Sequence, residues 1–506
     1  MRPLMSEQLK PDPKRWTALI FIALAQLMVV LDATVVNIAL PSAQKALGIS
    51  NGDRQWVITA YTLAFGGLLL FGGRIADLWG RKNAFVVGLL GFAAASALGG
   101  AAVNPAMLYG ARALQGAFGA LLAPAALSLL AVMFTDAKER AKAFGVYGAI
   151  AGAGAAVGLI LGGVLTQYLN WRWVLFVNIA FAVVAVIGAV MYIHEPATGR
   201  NRNRLDIPGV VLASAGLISL VYGFSRAESD GWTSSVTIGL FVASVVLLAA
   251  FAFVESRVRA ALLPLRVVTD RNRGGIYLSL GLAVIGMFGL FLFLTYYLQQ
   301  VQGYSALKSG FAFLPMVAGM IVGSTQIGAR LMLRVRPRLL MAPGFLVAAI
   351  GMAILAQIKV DSSYAEVLLP GLVLMGLGMG TAFMPAMSLA TYGVRPEDAG
   401  VASAMVNTSQ QVGGSIGTAL LNTLAASATT SWATSHMHTA ADRTNPLLIN
   451  EGAVHGYSVA IYVAMGILLL ASVIAFTFLN AGVQNTGTRA DGDESLEDIA
   501  IPVVAH

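Results

Sequence analysis

Fourteen runs of predominantly apolar residues divide this sequence, at 17–41, 55–72, 83–103, 106–134, 143–168, 173–193, 207–224, 235–254, 275–301, 310–332, 339–358, 365–387, 400–425 and 456–480. Each is near the roughly 20 residues that carry an α-helix across a hydrocarbon core. A backbone in lipid must satisfy its own N–H and C=O groups, which a run of this length does as a helix. The expectation is an all-α polytopic membrane protein with 14 transmembrane helices. With 57% hydrophobic and 11% charged residues the chain is excluded from the soluble globular class. It contains no cysteine, which excludes disulfides, thiol catalysis and thiolate metal sites.

A net charge of +8 points to nucleic acid in a soluble protein, but here the basic residues lie in short loops between apolar runs, where they set orientation. With the N-terminus placed in the cytoplasm, 24 Lys and Arg residues fall inside and 7 outside (Lys45, Arg54, Arg172, Arg226, Lys308, Lys359 and Arg443). Both termini are therefore expected in the cytoplasm. Residues 1–15 are polar and basic, and the run that follows is too long for a signal peptide and lacks a small-residue cleavage site, so it reads as a first span.

Two segments echo each other. Residues 72–82 (GGRIADLWGRK) close the second run, and residues 328–338 (GARLMLRVRPR) close the tenth, with Leu333 where the first copy has Asp77. An offset of eight runs fits two six-helix bundles separated by two inserted helices, and such halves enclose a substrate path. The expected division is 1–193 for the N-terminal half, 194–273 for linkers and inserted helices, 274–482 for the C-terminal half and 483–506 for an acidic, disordered cytoplasmic tail. A long outer loop is expected over 426–455.

Asp32 and Arg112 are the charges that fall well inside runs. At 1.5 Å per residue, Asp32 lies roughly 12 Å below the outer end of its helix and Arg112 roughly 10 Å below that of its own. A charge at such depth costs on the order of 2.5–3.5 kcal/mol unless it is paired or wetted, so the two are expected to pair. A carboxylate beside an arginine can exchange its proton as its partner and hydration change, which makes the pair a proton-coupling candidate; a static ion pair is the alternative reading. Gln115 follows one turn after Arg112. Gly154, Gly158 and Gly162 form a small-residue face in the fifth run, for close helix packing or for a hinge. Gly413, Gly414 and Gly417 form a second such face, next to polar Asn407, Ser409, Gln410 and Gln411, which are expected to face a cavity.

Residues 72–82 resemble the cytoplasmic signature of the major facilitator superfamily. Residues 31–41 (LDATVVNIALP), 112–120 (RALQGAFGA) and 171–178 (WRWVLFVN) resemble the first, fourth and sixth helix signatures of its fourteen-span drug/proton antiporter subfamily. The resemblance implies proton-coupled efflux of a drug or antibiotic by alternating access in a bacterial cytoplasmic (inner) membrane. It also implies a gate made by Gly73, Arg74, Asp77 and Arg81. One departure is Leu159 after Gly158, where antiporters of the family carry proline. This keeps a proton-coupled importer (symporter) of a small metabolite as the alternative.

For the substrate, Gln26, Asn37, Phe291, Tyr296 and Tyr297, with Gln115, Asn407 and Gln411, supply rings and polar groups suited to a bulky, partly apolar small molecule. More often such aromatics face lipid or pack between helices. One deep acid matches a neutral or monocationic compound better than a dication. His436, His438 and His455 share the outer loop and read as solvated residues rather than metal ligands. No phosphate-binding loop with Lys-Ser/Thr is present, so neither ATP coupling nor any cofactor is expected. No nucleophile or His/Asp pair stands at a membrane face, so no enzyme is expected.

Overall fold

A computed structural model describes residues 13–134, 137–193, 206–258, 263, 265–332, 334–391, 399–439 and 441–481. Among them the regular structure is helical throughout. In order the helices are α1 Arg15–Leu47, α2 Trp56–Trp79, α3 Arg81–Gly100, α4 Pro105–Met133, α5 Ala137–Tyr168, α6 Trp173–Tyr192, α7 Ile207–Asp230, α8 Ser235–Arg257 and the single turn α9 Leu265–Val268. They continue with α10 Arg271–Tyr296, α11 Ala306–Ala312, α12 Leu314–Val322, the short α13 Ala329–Leu331, α14 Arg338–Leu355, α15 Leu369–Thr391, α16 Ala399–His436 and α17 Pro446–Phe478. Eleven spans among the described residues are long and apolar enough to cross a membrane.

Local chemistry sets many of these boundaries. Asn104 caps α4 by accepting from the Met107 N–H at 2.9 Å, with Pro105 opening the helix. Asp206, Ser234, Asp270, Ser305 and Asn445 cap α7, α8, α10, α11 and α17 in the same way. The break between α2 and α3 depends on Gly80, whose φ of 103° lies where side chains are strained. The second copy has Arg336-Pro337 at the equivalent place, and there the chain turns into α14 without positive φ.

The tenth run forms one apolar span over Ala306–Leu331, within which α12 follows α11 with Pro315 in its first turn and a π-helical stretch at Gly323–Gly328 precedes α13. One sequence expectation needs correction. The outer loop is much shorter than 426–455, because α16 continues to His436 and α17 starts at Pro446. These extensions hold each other: Trp432 packs on Gly452, Thr429 on Gly456, and His436 stacks on Trp432 with ring centroids 4.4 Å apart.

The helices up to α6 build one apolar core around Ile22, Met28, Phe85, Phe92 and Leu130. A larger core around Phe293, Phe313, Phe345 and Met375 unites the C-terminal helices and takes in the second half of α1 and the first turns of α2 and α6. Between them, α7 leans on α2 through Ser214 Oγ donating to Gly67 O at 3.1 Å. It leans on α16 through Thr423 Oγ1 donating to Phe224 O at 3.0 Å. Outside it, α8 exposes Val242, Val245, Val246 and Phe253, the surface that a bilayer solvates.

Candidate functional site

The buried face of α1 runs Ile22, Ala25, Met28, Val29, Leu31, Asp32, Val35 and Val36, a helical stripe in which a carboxylate replaces one hydrocarbon side chain. Asp32 is fully buried, and the neighbouring helices supply donors to it. Arg112 Nη1 of α4 donates to Oδ2 at 2.6 Å. Gln115 Nε2 donates to Oδ1 at 3.0 Å, and Asn178 Nδ2 of α6 to the same oxygen at 2.8 Å.

Ser96 of α3 accepts from Gln115 at 2.7 Å and from Asn178 at 3.4 Å, while Gln115 Oε1 accepts from Arg112 Nη1 at 3.0 Å. Arg112 Nε donates to Val57 O of α2 at 2.9 Å, and its guanidinium lies 4.5 Å from the Tyr61 ring centroid. Buried polar groups are tolerable when satisfied in this way. The depth expected from the sequence brings Asp32 and Arg112 together. Asn178 and Ser96 carried no individual signal: one sits inside a quoted motif, the other inside an apolar run.

The remaining sequence candidates scatter around this cluster. Gln115 belongs to it and points at Asp32 rather than at a path between the two sets of helices. Gln26 accepts from Tyr147 OH of α5 at 2.6 Å. Asn37 donates to Ala33 O at 2.8 Å, leaving its own Oδ1 buried without a hydrogen-bond partner among the described residues. Gln411 of α16 packs against Gly66 of α2, so it lies where the two sets of helices meet, and half-buried Asn407 stands one turn away. Phe291 is half-buried against Phe313, with ring centroids 5.1 Å apart.

Tyr296 and Tyr297 are fully buried, and Tyr297 OH donates to Lys359 O at 2.7 Å. Gly154, Gly158 and Gly162 lie where α5 crosses α1, against Val30, Thr34 and Val35. Gly73 packs on Pro124, and Arg74 and Arg81 each engage neighbours at the opposite end of the bundle. The Asp77 side chain lies outside the described residues.

Arg54, counted above only as an outer loop charge, proves to be 5% exposed. It reaches from the turn before α2 into the C-terminal helices. Its Nε donates to Asn422 Oδ1 of α16 at 3.1 Å, and its guanidinium lies 4.1 Å from the centroid of the Tyr296 ring and 5.8 Å from that of Tyr457. Asn422 Nδ2 donates back to Asn51 O and Gly52 O, at 3.3 and 3.2 Å.

Further along, Thr59 meets Thr418 and Thr62 meets Ser415, each pair of hydroxyls 2.7 Å apart. Gln299 donates to Ile38 O at 2.9 Å, and Gly310 of α11 packs on Leu159 O of α5. These contacts between N- and C-terminal helices lie toward the end expected to be outer, so that end is shut. Arg54 was hidden because a lone Arg before a helix looks the same whether it is solvated or inserted.

The sequence matches the family description Major Facilitator Superfamily over residues 22–418. This chain belongs to that superfamily. It is 54% identical over 473 residues to a puromycin resistance protein of Streptomyces alboniger, covering 93% of this chain and 92% of that one. It is 39% identical to a cephamycin export protein of Amycolatopsis lactamdurans, over 82% and 85% of the two chains. To a tetracenomycin C resistance and export protein of Streptomyces glaucescens it is 34% identical, over 81% and 76%.

Among solved structures it resembles an auto-inhibited POT family peptide transporter, with a TM-score of 0.65 at 16% identity over 94% and 98% of the two chains. It also resembles a bacterial homologue of the human lysosomal transporter Spinster in an inward-facing, unoccupied conformation. There the TM-score is 0.64 at 17% identity, over 92% and 96%. At these identities the structures show the shared fold. The superfamily member described here is thus a multi-pass, all-helical transporter whose relatives include antibiotic resistance and export proteins.

Proposed function

We propose that this protein is a proton-coupled exporter of a puromycin-like antibiotic, a bulky, partly apolar molecule with at most one positive charge. It works by alternating access in a bacterial cytoplasmic membrane with both termini inside. Sequence identity of 54% to a puromycin resistance protein over nearly the whole of both chains carries the substrate assignment. The buried Asp32–Arg112 pair supports proton coupling: an ionisable residue held in the apolar core of a transporter marks an ion or proton path.

In this reading α2, α5 and α16 complete fourteen crossings. Residues 1–193 and 274–482 rock about a central path, and α7 and α8 form the inserted pair. Gly73, Arg74, Asp77 and Arg81 gate the inner end, and Gln26, Asn37, Phe291, Tyr296, Tyr297, Asn407 and Gln411 line the path or its outer seal. Gln115 orients Asp32. In the cycle Asp32 takes up a proton from outside as drug leaves, and Arg112 shifts its proton affinity.

The test is puromycin accumulation and resistance in pump-deficient cells, with the unaltered chain, with Asp32→Asn and with a protonophore. Reduced accumulation that is abolished by either change is the expected result. Export that survives in Asp32→Asn refutes the coupling role, and proton-driven uptake of a metabolite would establish the importer reading that Leu159 keeps open.

A further inference from the structure

We propose that the turn between α13 and α14 holds the headgroup of an anionic phospholipid, whose acyl chains lie along α14 and α17. The inference takes from the reading above only the leaflet, the cytoplasmic one, and the binding itself does not depend on transport.

The chain leaves one apolar span at Leu331 and enters the next at Arg338, so this turn lies at a membrane face. Residues 330–338 (RLMLRVRPR) carry Arg330, Arg334, Arg336 and Arg338 and no acid. The corresponding segment 72–82 has Asp77 among its bases, and those bases are engaged. Lys82 Nζ donates to Val190 O at 3.1 Å, and Arg74 and Arg81 meet neighbours. In the turn before α14, by contrast, Arg330, Arg334 and Arg336 are exposed. None of the four guanidinium groups makes a hydrogen bond or an ion pair among the described residues.

Orientation in the membrane requires only cations on this side, so the charge alone does not mark a ligand. The surface beside it does. Leu339 is 47% exposed and Phe476 of α17 is 55% exposed, and the Arg338 guanidinium stands 5.9 Å from the centroid of the Phe476 ring. One turn deeper, Ser472 Oγ donates to Ala342 O at 2.7 Å, so α14 and α17 run side by side from the turn into the membrane. Arg338 Nε is buried without a hydrogen-bond partner among the described residues. A charged donor left in that state is costly, and a phosphate oxygen entering beside it supplies the acceptor.

A guanidinium fork matches two phosphate oxygens, and a basic cluster flanking a span attracts anionic lipid by a factor of about five per charge. The occupant that answers both the charge and the apolar flank is a phosphate diester of net negative charge on apolar chains, such as phosphatidylglycerol. The acidic tail residues Asp491, Asp493, Glu494, Glu497 and Asp498 would answer the charge but leave Leu339 and Phe476 uncovered.

The test titrates the full chain in detergent with phosphatidylglycerol or with phosphatidylcholine of the same acyl chains. Native mass spectrometry counts the bound lipid, and hydrogen exchange locates it. Phosphatidylglycerol is expected to bind at least about tenfold tighter than phosphatidylcholine and to slow exchange over residues 330–342. Arg334→Gln, Arg336→Gln and Arg338→Gln combined should weaken it by at least about tenfold. Arg200→Gln, Arg202→Gln and Arg204→Gln combined, in another basic loop, should leave it unchanged.

Equal affinity for the two lipids, or protection confined to other segments, overturns the proposal whether or not the substituted chains fold. Equal weakening by the two triple substitutions also overturns it, because the attraction is then diffuse charge. Inorganic phosphate that protects the same segment as well as the lipid does, at equal concentration, makes this a free-anion site. Lipid affinity that rises about tenfold when residues 483–506 are removed makes the tail the occupant. Either result overturns the lipid assignment. A chain that binds phosphatidylglycerol here yet exports nothing on a proton gradient refutes the exporter reading and leaves the lipid site standing.

Discussion

Arg54→Ala is the perturbation that most directly tests how the N- and C-terminal helices are held together at the end where Arg54 meets Asn422. The side chain is 5% exposed, stacks on Tyr296 and donates to Asn422 from the opposite set of helices. A desolvated cation–π contact contributes about 2 kcal/mol, and a hydrogen bond from a charged donor about 1.5–3 kcal/mol. Opening returns Arg54 to water, which offsets part of this, so the net bias toward the closed outer end is about 2–3 kcal/mol.

Because the contact exists in one state only, its loss shifts the two-state equilibrium by roughly 30- to 150-fold. The assay uses a cysteine at Thr59, which the closed outer end buries against Thr418, read in both Arg54 and Arg54→Ala backgrounds so that its own effect cancels. Labelling from outside by an impermeant maleimide is expected to accelerate by that factor. Arg54→Lys, which keeps the charge but loses the planar stack, should fall between the two. An acceleration of less than about threefold, or about 0.65 kcal/mol, would refute the latch and leave Arg54 as a packed charge.

Asp32→Asn leaves Arg112 buried without its counter-charge and is expected to destabilise the N-terminal helices by about 3–5 kcal/mol. Asp32→Asn with Arg112→Gln should recover most of that in a thermal unfolding scan while remaining uncoupled. Gly158→Ala drives a methyl into Thr34, whose hydroxyl is engaged with Val30 O and Leu31 O at 3.1 Å. A loss of about 1–3 kcal/mol is expected, with a matching fall in detergent half-life.

In the exposed turn after α16, the Thr439 N–H donates to Asp442 at 2.8 Å and holds its carboxyl below the usual carboxylate range, aided by the His438 N–H. A lowered folded-state pKa means that this contribution is present above the unfolded pKa and is lost as pH falls through the folded one. Hydrogen exchange at Thr439 should therefore stay protected through mildly acidic pH and open in Asp442→Ala at neutral pH.

Much of the fold was legible because the membrane makes hydropathy a local property. Each apolar run maps onto helical structure, and caps such as Asn104-Pro105 fix starts to within a residue or two. Failures came where neighbours decide. The polar stretch 426–455 reads as loop by composition, yet Trp432 and Gly452 pack its two ends into helix. In the site, burial cost alone singled out Asp32 and Arg112. It said nothing of which small polar residues close the shell, since Ser96 in an apolar run resembles any helix serine.

The sequence by itself determined that the chain crosses a membrane many times, which two charges sit deep, and where glycine lets helices approach. These follow from per-residue transfer energies and backbone freedom, which need no partner to be computed. Tertiary structure decided the partners: Asp32 meets Asn178 from 146 residues away, and Arg54 meets Asn422 from 368 residues away. Which end of the path is shut depends on such long-range pairs. Such pairs join residues hundreds of positions apart, so no local pattern along the chain encodes them.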